Sequence, residues 1–186
     1  MRVLVAIALV AGVARADEAV EAHNKLGFRI GFGTLDVQDR ETSTFSLGLS
    51  IEHPIWTSIR AFGEYELMWL GDSQSMSPST EGFQGSGHRM HAGLRAELMS
   101  TSIDGMVRFY LDGEVGAGIG VATGDEIGVQ VLPHAFIGAR AGYDFLWGKN
   151  KAHSSSTFEA ELLARAFRMP DGGSAALFGI GMVWGD

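Results

Sequence analysis

Hydrophobic and polar residues alternate along most of this chain. In the segment 174–184, the large apolar residues Phe178, Ile180, Met182 and Trp184 occupy every second position, and small residues fill much of the opposite parity. Side chains of a β-strand point alternately to its two faces, so a period of two predicts a strand. The segment is therefore predicted to be a strand with one face of large apolar side chains.

The same alternation recurs in seven earlier segments and gives eight predicted strands in all. The predicted strands cover residues 25–35, 42–52, 57–70, 86–98, 104–121, 127–145, 156–167 and 174–184. Polar segments separate them, and the longest of these is 71–85. An even number of alternating strands joined by polar turns is typical of a transmembrane β-barrel.

Three features are predicted to interrupt strands. His53-Pro54 predicts the end of the second strand, because proline cannot donate a hydrogen bond to a neighbouring strand. The Ser- and Thr-rich segment 99–103 predicts a turn after the fourth strand. Pro133 predicts a bulge in the sixth strand or a later start of it.

Charged residues within the predicted strands all fall on the parity opposite to the large apolar residues. The arginines on this parity are Arg29, Arg60, Arg89, Arg95, Arg108, Arg140 and Arg165. The acids are Glu52, Glu64, Glu66, Glu97, Asp112, Glu114, Asp144, Glu159 and Glu161. An arginine that faces lipid at the middle of a bilayer costs about 2–4 kcal/mol, so this segregation is expected of a barrel with a lipid-facing apolar band.

A soluble, lipocalin-like barrel with apolar residues inside is the alternative to a membrane barrel. Three features favour the membrane barrel. Many glycines share the charged parity, where they make room inside a narrow barrel. Lysine is absent from the strand interiors, whereas interior ion pairs favour arginine. Aromatic residues of a membrane-interface girdle are predicted near strand ends at Trp69, Tyr143, Trp147 and Trp184.

The last predicted strand contains a further indication. Gly179 is followed three and five residues later by Met182 and Trp184, a spacing that resembles the closing-strand signal of bacterial outer-membrane β-barrels. Residues 25–184 as a whole resemble the small OmpA/OmpX-type family of eight-stranded outer-membrane proteins. The resemblance implies an all-β, eight-stranded antiparallel up-and-down transmembrane β-barrel. It also implies an outer-membrane location, contact with outer-membrane lipids and insertion by the barrel-assembly machinery.

The first residues predict export. Arg2 precedes the apolar segment 3–13, and Ala14-Arg15-Ala16 matches an A-x-A cleavage site, so residues 1–16 are predicted to be a signal peptide. Residues 17–24 then form a polar leader before the barrel. A buried amino-terminal helix is the alternative for residues 1–16.

Composition narrows the function classes. The 186 residues carry a net charge of −8 and no cysteine, and the acidic balance argues against nucleic acid as a partner. The sequence has no run of about 20 apolar residues and hence no predicted transmembrane helix. No cofactor motif occurs, and a monomer is expected.

The inward charges are the main candidate site. We expect an internal salt-bridge network that stabilises the barrel, since buried charges must be paired. Its predicted members are Arg29, Arg60, Glu64, Glu66, Arg89, Arg95, Glu97, Arg108, Asp112, Glu114, Arg140, Glu159, Glu161 and Arg165. A catalytic or ion-conducting set is the alternative. His91 and His134 also face inward, but without a third close ligand they do not predict a metal site.

The expected function is a non-enzymatic outer-membrane barrel with a structural or surface role. A narrow channel for ions or small solutes is the first alternative. A lipid-modifying enzyme would need a nucleophile or base on the lipid-facing parity, where His88 lies without a predicted partner. Any recognition by loops is expected in 71–85, where the apolar residues are Met76, Pro78 and Phe83.

Overall fold

A computed structural model describes residues 24–37, 40–56, 58–72, 83–103, 107–124, 128–146 and 157–185. The eight strands are β1 (Lys25–Val37), β2 (Arg40–Trp56), β3 (Ile59–Asp72), β4 (Phe83–Ile103), β5 (Val107–Gly124), β6 (Gly128–Leu146), β7 (Thr157–Arg168) and β8 (Ser174–Gly185). Each strand pairs antiparallel with the next, and β8 pairs with β1 to close the barrel. The predicted fold class is confirmed. Within the described residues, no helix is long and apolar enough to cross a membrane.

Burial alternates along the strands and follows the two parities, except at 98–103 of β4, where all residues are exposed. In β6, Ile137 is 68% exposed and points out of the barrel, whereas Arg140 is 3% exposed and points in. The large apolar side chains thus form the outer surface, and the charged side chains lie inside. This distribution is the reverse of a soluble barrel, in which apolar residues fill the core.

Two strands run past the interruptions predicted for them. β2 continues through Pro54 to Trp56, and a register shift between these residues absorbs the proline at the end of the barrel. β4 continues to Ile103 instead of turning at 99–103, with a register shift between Glu97 and Met99. Here the long hairpin with β5 keeps the backbone hydrogen-bonded, and this outweighs the turn preference of the Ser and Thr residues.

Pro133 lies within β6 and opposite Ile119 of β5, without any shift in register. Pairing between β6 and β7 begins only at Ala135, so Pro133 lies beyond it and needs no hydrogen bond on that side. β7 extends to Arg168, which is exposed on the outward parity. The segregation of charges therefore ends at the rim of the barrel.

The two ends of the barrel differ in what they carry. The terminal end holds the start of β1 and the end of β8, and the loop end holds the connections after β1, β3, β5 and β7. The described connection, 169–173, is a tight turn in which the Met169 N–H donates to the Gly173 carbonyl oxygen at 2.9 Å and the Gly172 N–H donates to the Met169 carbonyl oxygen at 3.2 Å. Gly172 has a φ of +100°, which favours glycine. The predicted signal peptide and leader lie outside the described residues except for Asn24, as does most of the loop 71–85.

Outward aromatic residues gather towards both ends. Near the terminal end, Phe158 and Trp184 have ring centroids 6.2 Å apart, and Tyr143 contacts Phe109 and Phe145. Near the loop end, the rings of Phe32, Phe45 and Trp69 form a continuous row with centroids 5.2 and 5.5 Å apart. Trp147 lies outside the described residues. Gly179 and Met182 lie in β8, where they pair with Gly31 and Phe28 of β1.

Candidate functional site in the barrel interior

Four arginines and four glutamates in the middle of the barrel form a closed ring of alternating charges. In ring order they are Arg29, Glu64, Arg165, Glu114, Arg95, Glu52, Arg140 and Glu161. Every member is buried, and together they come from all strands except β8. The formal charges of the ring cancel, which is the condition for placing so many ions away from water.

The distances within the ring are those of charge-assisted hydrogen bonds. Arg165 donates from Nε to Glu114 Oε2 at 2.8 Å and from Nη2 to Glu64 Oε2 at 2.9 Å. Arg95 Nε donates to Glu114 Oε1 at 2.7 Å. Arg140 Nη1 donates to Glu161 Oε2 at 2.7 Å. Each guanidinium therefore bridges two carboxylates, as its planar fork allows.

Further pairs flank the ring on both sides. Asp112 joins it through Arg140 Nη2 at 2.6 Å. Towards the loop end, Arg89 pairs with Glu66 through Nε at 2.5 Å. At the terminal end the pairs are Lys25 with Glu159, Arg108 with Glu97 and Arg108 with Asp144. Arg60 also points inward at this end, and among the described residues its Nη1 has no hydrogen-bond partner.

Aromatic rings cover the faces of the guanidinium groups. Arg95 lies 4.6 Å from the ring centroid of Phe62, and Arg89 lies 4.1 Å from that of Phe167. Arg165 lies 5.2 Å from the ring centroid of Phe136. In these residues aromatic rings contact the faces of the guanidinium groups while carboxylates contact their edges.

The inward histidines pack among the charged and aromatic side chains of the interior. Arg165 Nη1 donates to His91 Nε2 at 2.8 Å, and His134 Nδ1 lies 3.0 Å from the carbonyl oxygen of Leu132. The two imidazole rings contact each other edge to face, with centroids 6.0 Å apart. In the described part of the chain, no group of His, Asp or Glu side chains is arranged to hold a metal ion.

A cluster of apolar side chains, the apolar plug, lies inside the barrel at the loop end. It consists of the buried residues Leu35, Leu70, Ala122, Leu132 and Met169. A second apolar cluster beneath it contains Phe62, Phe136, Phe167 and Leu177. The interior is therefore layered from an apolar loop end to charges at the middle and terminal end.

The network predicted from the sequence omits Glu52, Asp144 and Lys25, and the apolar plug was not predicted. Lys25 is the first residue of the first predicted strand, yet it is buried and paired with Glu159. Its position two residues before Gly27 on the inward parity could have revealed this. The apolar plug was missed because Leu35, Leu70 and Leu132 lie on the charged parity, and a rule based on charge alone overlooks apolar residues there.

Glycines that pair with ring residues on neighbouring strands leave the space that the charged side chains occupy. A Cβ atom at Gly138 would lie 2.8 Å from both Arg165 Cγ and the backbone oxygen of Ala164. A Cβ atom at Gly181 would lie 2.7 Å from Glu161 Oε1 and 2.9 Å from Arg29 Cγ. The ring thus occupies space that only glycine leaves free.

Replacing Gly138 by alanine is expected to lower the free energy of unfolding by about 1–3 kcal/mol, because the backbone of β7 must move to admit the methyl group. Gly63→Ala is the matched control, since a Cβ there meets only Ile51 Cγ2, at 3.9 Å. Urea unfolding of both variants in lipid vesicles measures the difference. Equal stability of the two variants would contradict the crowded interior.

Comparisons with known proteins support the architecture. No protein-family model and no curated protein matches the sequence. Among solved structures, Neisserial surface protein A matches with a TM-score of 0.55 and 12% identity, covering 86% of this chain and 95% of that one. This chain therefore has the fold of the small eight-stranded outer-membrane barrels, which confirms the resemblance at the level of fold.

Two further solved structures match more loosely. The N-terminal β-barrel domain of Pseudomonas aeruginosa OprF has 14% identity and a TM-score of 0.45, covering 88% of this chain and 99% of that one. Ail, the attachment invasion locus protein of Yersinia pestis, was solved with the heparin analogue sucrose octasulfate. It has 11% identity and a TM-score of 0.44, covering 90% of this chain and 100% of that one.

Proposed function

We propose that this chain is an integral outer-membrane protein that neither conducts solutes nor catalyses a reaction, and that it has a structural or surface role. The membrane location is supported by the apolar outer surface, where Leu26, Leu49, Leu162 and Phe178 are each more than half exposed. Such a surface is costly in water and stable in lipid. The barrel-assembly machinery inserts the chain, which then stays monomeric among outer-membrane lipids.

The proposal of a closed, non-conducting interior is supported by the ion-pair ring together with the apolar plug. Eight strands enclose a space just wide enough for side chains to fill. Here the charged side chains bind one another, and Leu35, Leu70 and Leu132 block the loop end. Among the described residues these layers leave hydrated ions no continuous polar path, so the network stabilises the barrel instead of conducting.

The refolded protein is expected to give no unitary currents in a planar lipid bilayer, with a general porin as the positive control. Stable currents that change when Arg95 or Arg108 is neutralised would support the alternative, a narrow channel in which these arginines select ions.

The proposed location implies processing of the amino terminus. We expect the protein to be found in outer-membrane fractions with Asp17 as its first residue, which intact-mass measurement of the extracted protein would reveal. A soluble periplasmic product, or one that keeps residues 1–16, would contradict it.

With the terminal end in the periplasm, the loop end faces the outside of the cell. Any recognition of external partners then lies in the loop 71–85 and the adjacent rim.

A further inference from the structure

A small polar patch interrupts the apolar outer surface between the middle and the loop end of β3, β4 and β5. It consists of Tyr65, Ser86, His88 and Thr123, all exposed. Ser86 pairs with Thr123 on β5 and with Trp69 on β3. No Asp, Glu, Lys or Arg occupies an outward position on the described residues of these three strands. The hydrogen-bond donors of the patch therefore have no carboxylate on the outer face of these strands to pair with.

Tyr65 and His88 hold each other in a fixed geometry. The Tyr65 hydroxyl lies 2.6 Å from His88 Nδ1, and the two rings stack with centroids 5.9 Å apart and 26° between their planes. When the neutral imidazole accepts this hydrogen bond at Nδ1, its proton must lie on Nε2. His88 then presents an N–H donor away from Tyr65.

Two residues with hydroxyl groups occupy the same outer face, one outward position nearer the loop end than His88. Ser86 and Thr123 are cross-strand partners, and side chains paired in this way have Cβ atoms about 4.5–5.5 Å apart. Ser86 is two residues from His88 on the same face of β4. Its other neighbour, Trp69, belongs to the aromatic row that marks the level of lipid headgroups in a membrane barrel.

An apolar groove continues from the patch towards the middle of the barrel. The groove has a volume of about 660 Å³, and Tyr65 stands in its lining with Met90 and Ile119. The groove forms because the outward residues Gly63, Ala92 and Ala117 in its lining are small. A hydrocarbon chain lying in the groove would bring the attached headgroup to the patch.

We propose that the patch binds the phosphate group of a lipid headgroup while an acyl chain of the same lipid lies in the groove. Phosphate oxygens are strong acceptors, and His88, Ser86 and Thr123 offer donors without a competing carboxylate. The groove selects a lipid over free phosphate. This site rests on the proposed membrane location, which places it in the outer leaflet.

Native mass spectrometry of the protein in dodecyl maltoside, whose headgroup contains no phosphate, tests the site by titration with dimyristoyl phosphatidic acid. We expect one lipid to bind first. Its affinity should fall by about tenfold in His88→Ala, which loses a hydrogen bond to a charged group. His53→Ala is the matched control, because His53 is also exposed on the outer surface but lies at the terminal end beside Asn24.

Four comparisons separate the contributions of the imidazole orientation, the groove, the N–H donor and the phosphate group. Tyr65→Phe should weaken binding because it releases the imidazole, and Ala92→Leu should weaken it by filling the groove. His88→Gln keeps an N–H donor and should stay within about threefold of the wild type. Myristic acid, which has the chain without phosphate, should bind more weakly than the phosphatidic acid.

Equal affinities of His88→Ala and His53→Ala would overturn the proposal, as would equal binding of myristic acid. Full competition by inorganic phosphate with no effect of Ala92→Leu would also overturn it, since the site would then take the free ion. The electrophoretic mobility of each unheated variant reports folding separately. A wild type that does not fold in the micelle would instead count against the proposed membrane barrel.

Discussion

Replacing Arg140 by methionine is expected to lower the free energy of unfolding by about 3–5 kcal/mol, the usual cost of removing one partner from a buried ion pair. Arg140 is 3% exposed and contacts Glu52, Asp112 and Glu161. Methionine fills a similar volume but removes the cation that pairs with Asp112 and one of the arginine partners of Glu52 and of Glu161, so negative charge in the middle of the barrel is no longer balanced. The main effect is therefore the uncompensated charge and not a cavity.

Urea unfolding in lipid vesicles, followed by tryptophan fluorescence, measures this effect. Arg168→Met is the matched control, because Arg168 carries the same side chain on the exposed outer rim. Its expected change is within about 0.5 kcal/mol, as for most surface substitutions. Adding Glu161→Gln to Arg140→Met should recover part of the loss. Equal effects of the two methionine variants would contradict a stabilising role for the ring.

Introducing arginine at Ile137 is expected to destabilise the inserted barrel by about 2–4 kcal/mol, because the charge would face hydrocarbon near the middle of the bilayer. Ile137 is 68% exposed, lies near the middle of β6 and pairs with Val115 and Ala166, both outward. Leu94 and Leu111 occupy outward positions on β4 and β5 and should respond in the same way.

The same strand provides the control for depth. Val129 is 70% exposed near the loop end of β6, where arginine should cost only about 0–1 kcal/mol. The fraction of protein that resists proteolysis after refolding into vesicles, together with its unfolding in urea, compares the two variants. Equal tolerance at both positions would indicate a barrel that is exposed to water along its whole length.

Much of the fold follows from the sequence because the side-chain period of a strand is two. Once Phe28 and Ile30 are placed on one face, Arg29 must lie on the other, and the same rule assigns each inward charge. The pairing of those charges does not follow from it. Arg29 and Glu161 are 132 positions apart, and only closure of the barrel brings them together.

Strand ends and isolated polar residues were harder to predict. The backbone hydrogen bonds of the β4–β5 hairpin override the turn preference of 99–103, and sequence alone does not reveal where a partner strand continues. His88 was placed correctly on the outer face but without a partner. Its contact with Tyr65 crosses from β4 to β3 and depends on the register between them.

The contact of Arg29 with Glu161 has a consequence for the seam at which the first and last strands meet. These two residues belong to β1 and β7, so their ion pair crosses the inner face of β8 at Gly181, which pairs with both of them. A shift of β8 by two residues in one direction would place Val183 at the position of Gly181. Its side chain would then clash with Glu161 and Arg29, which already approach a Cβ atom there to 2.7 and 2.9 Å. Lateral opening of the seam would have to separate the charges before any strand could leave. The ion pair thus favours one register of β8 and adds to the barrier for separating β8 from β1.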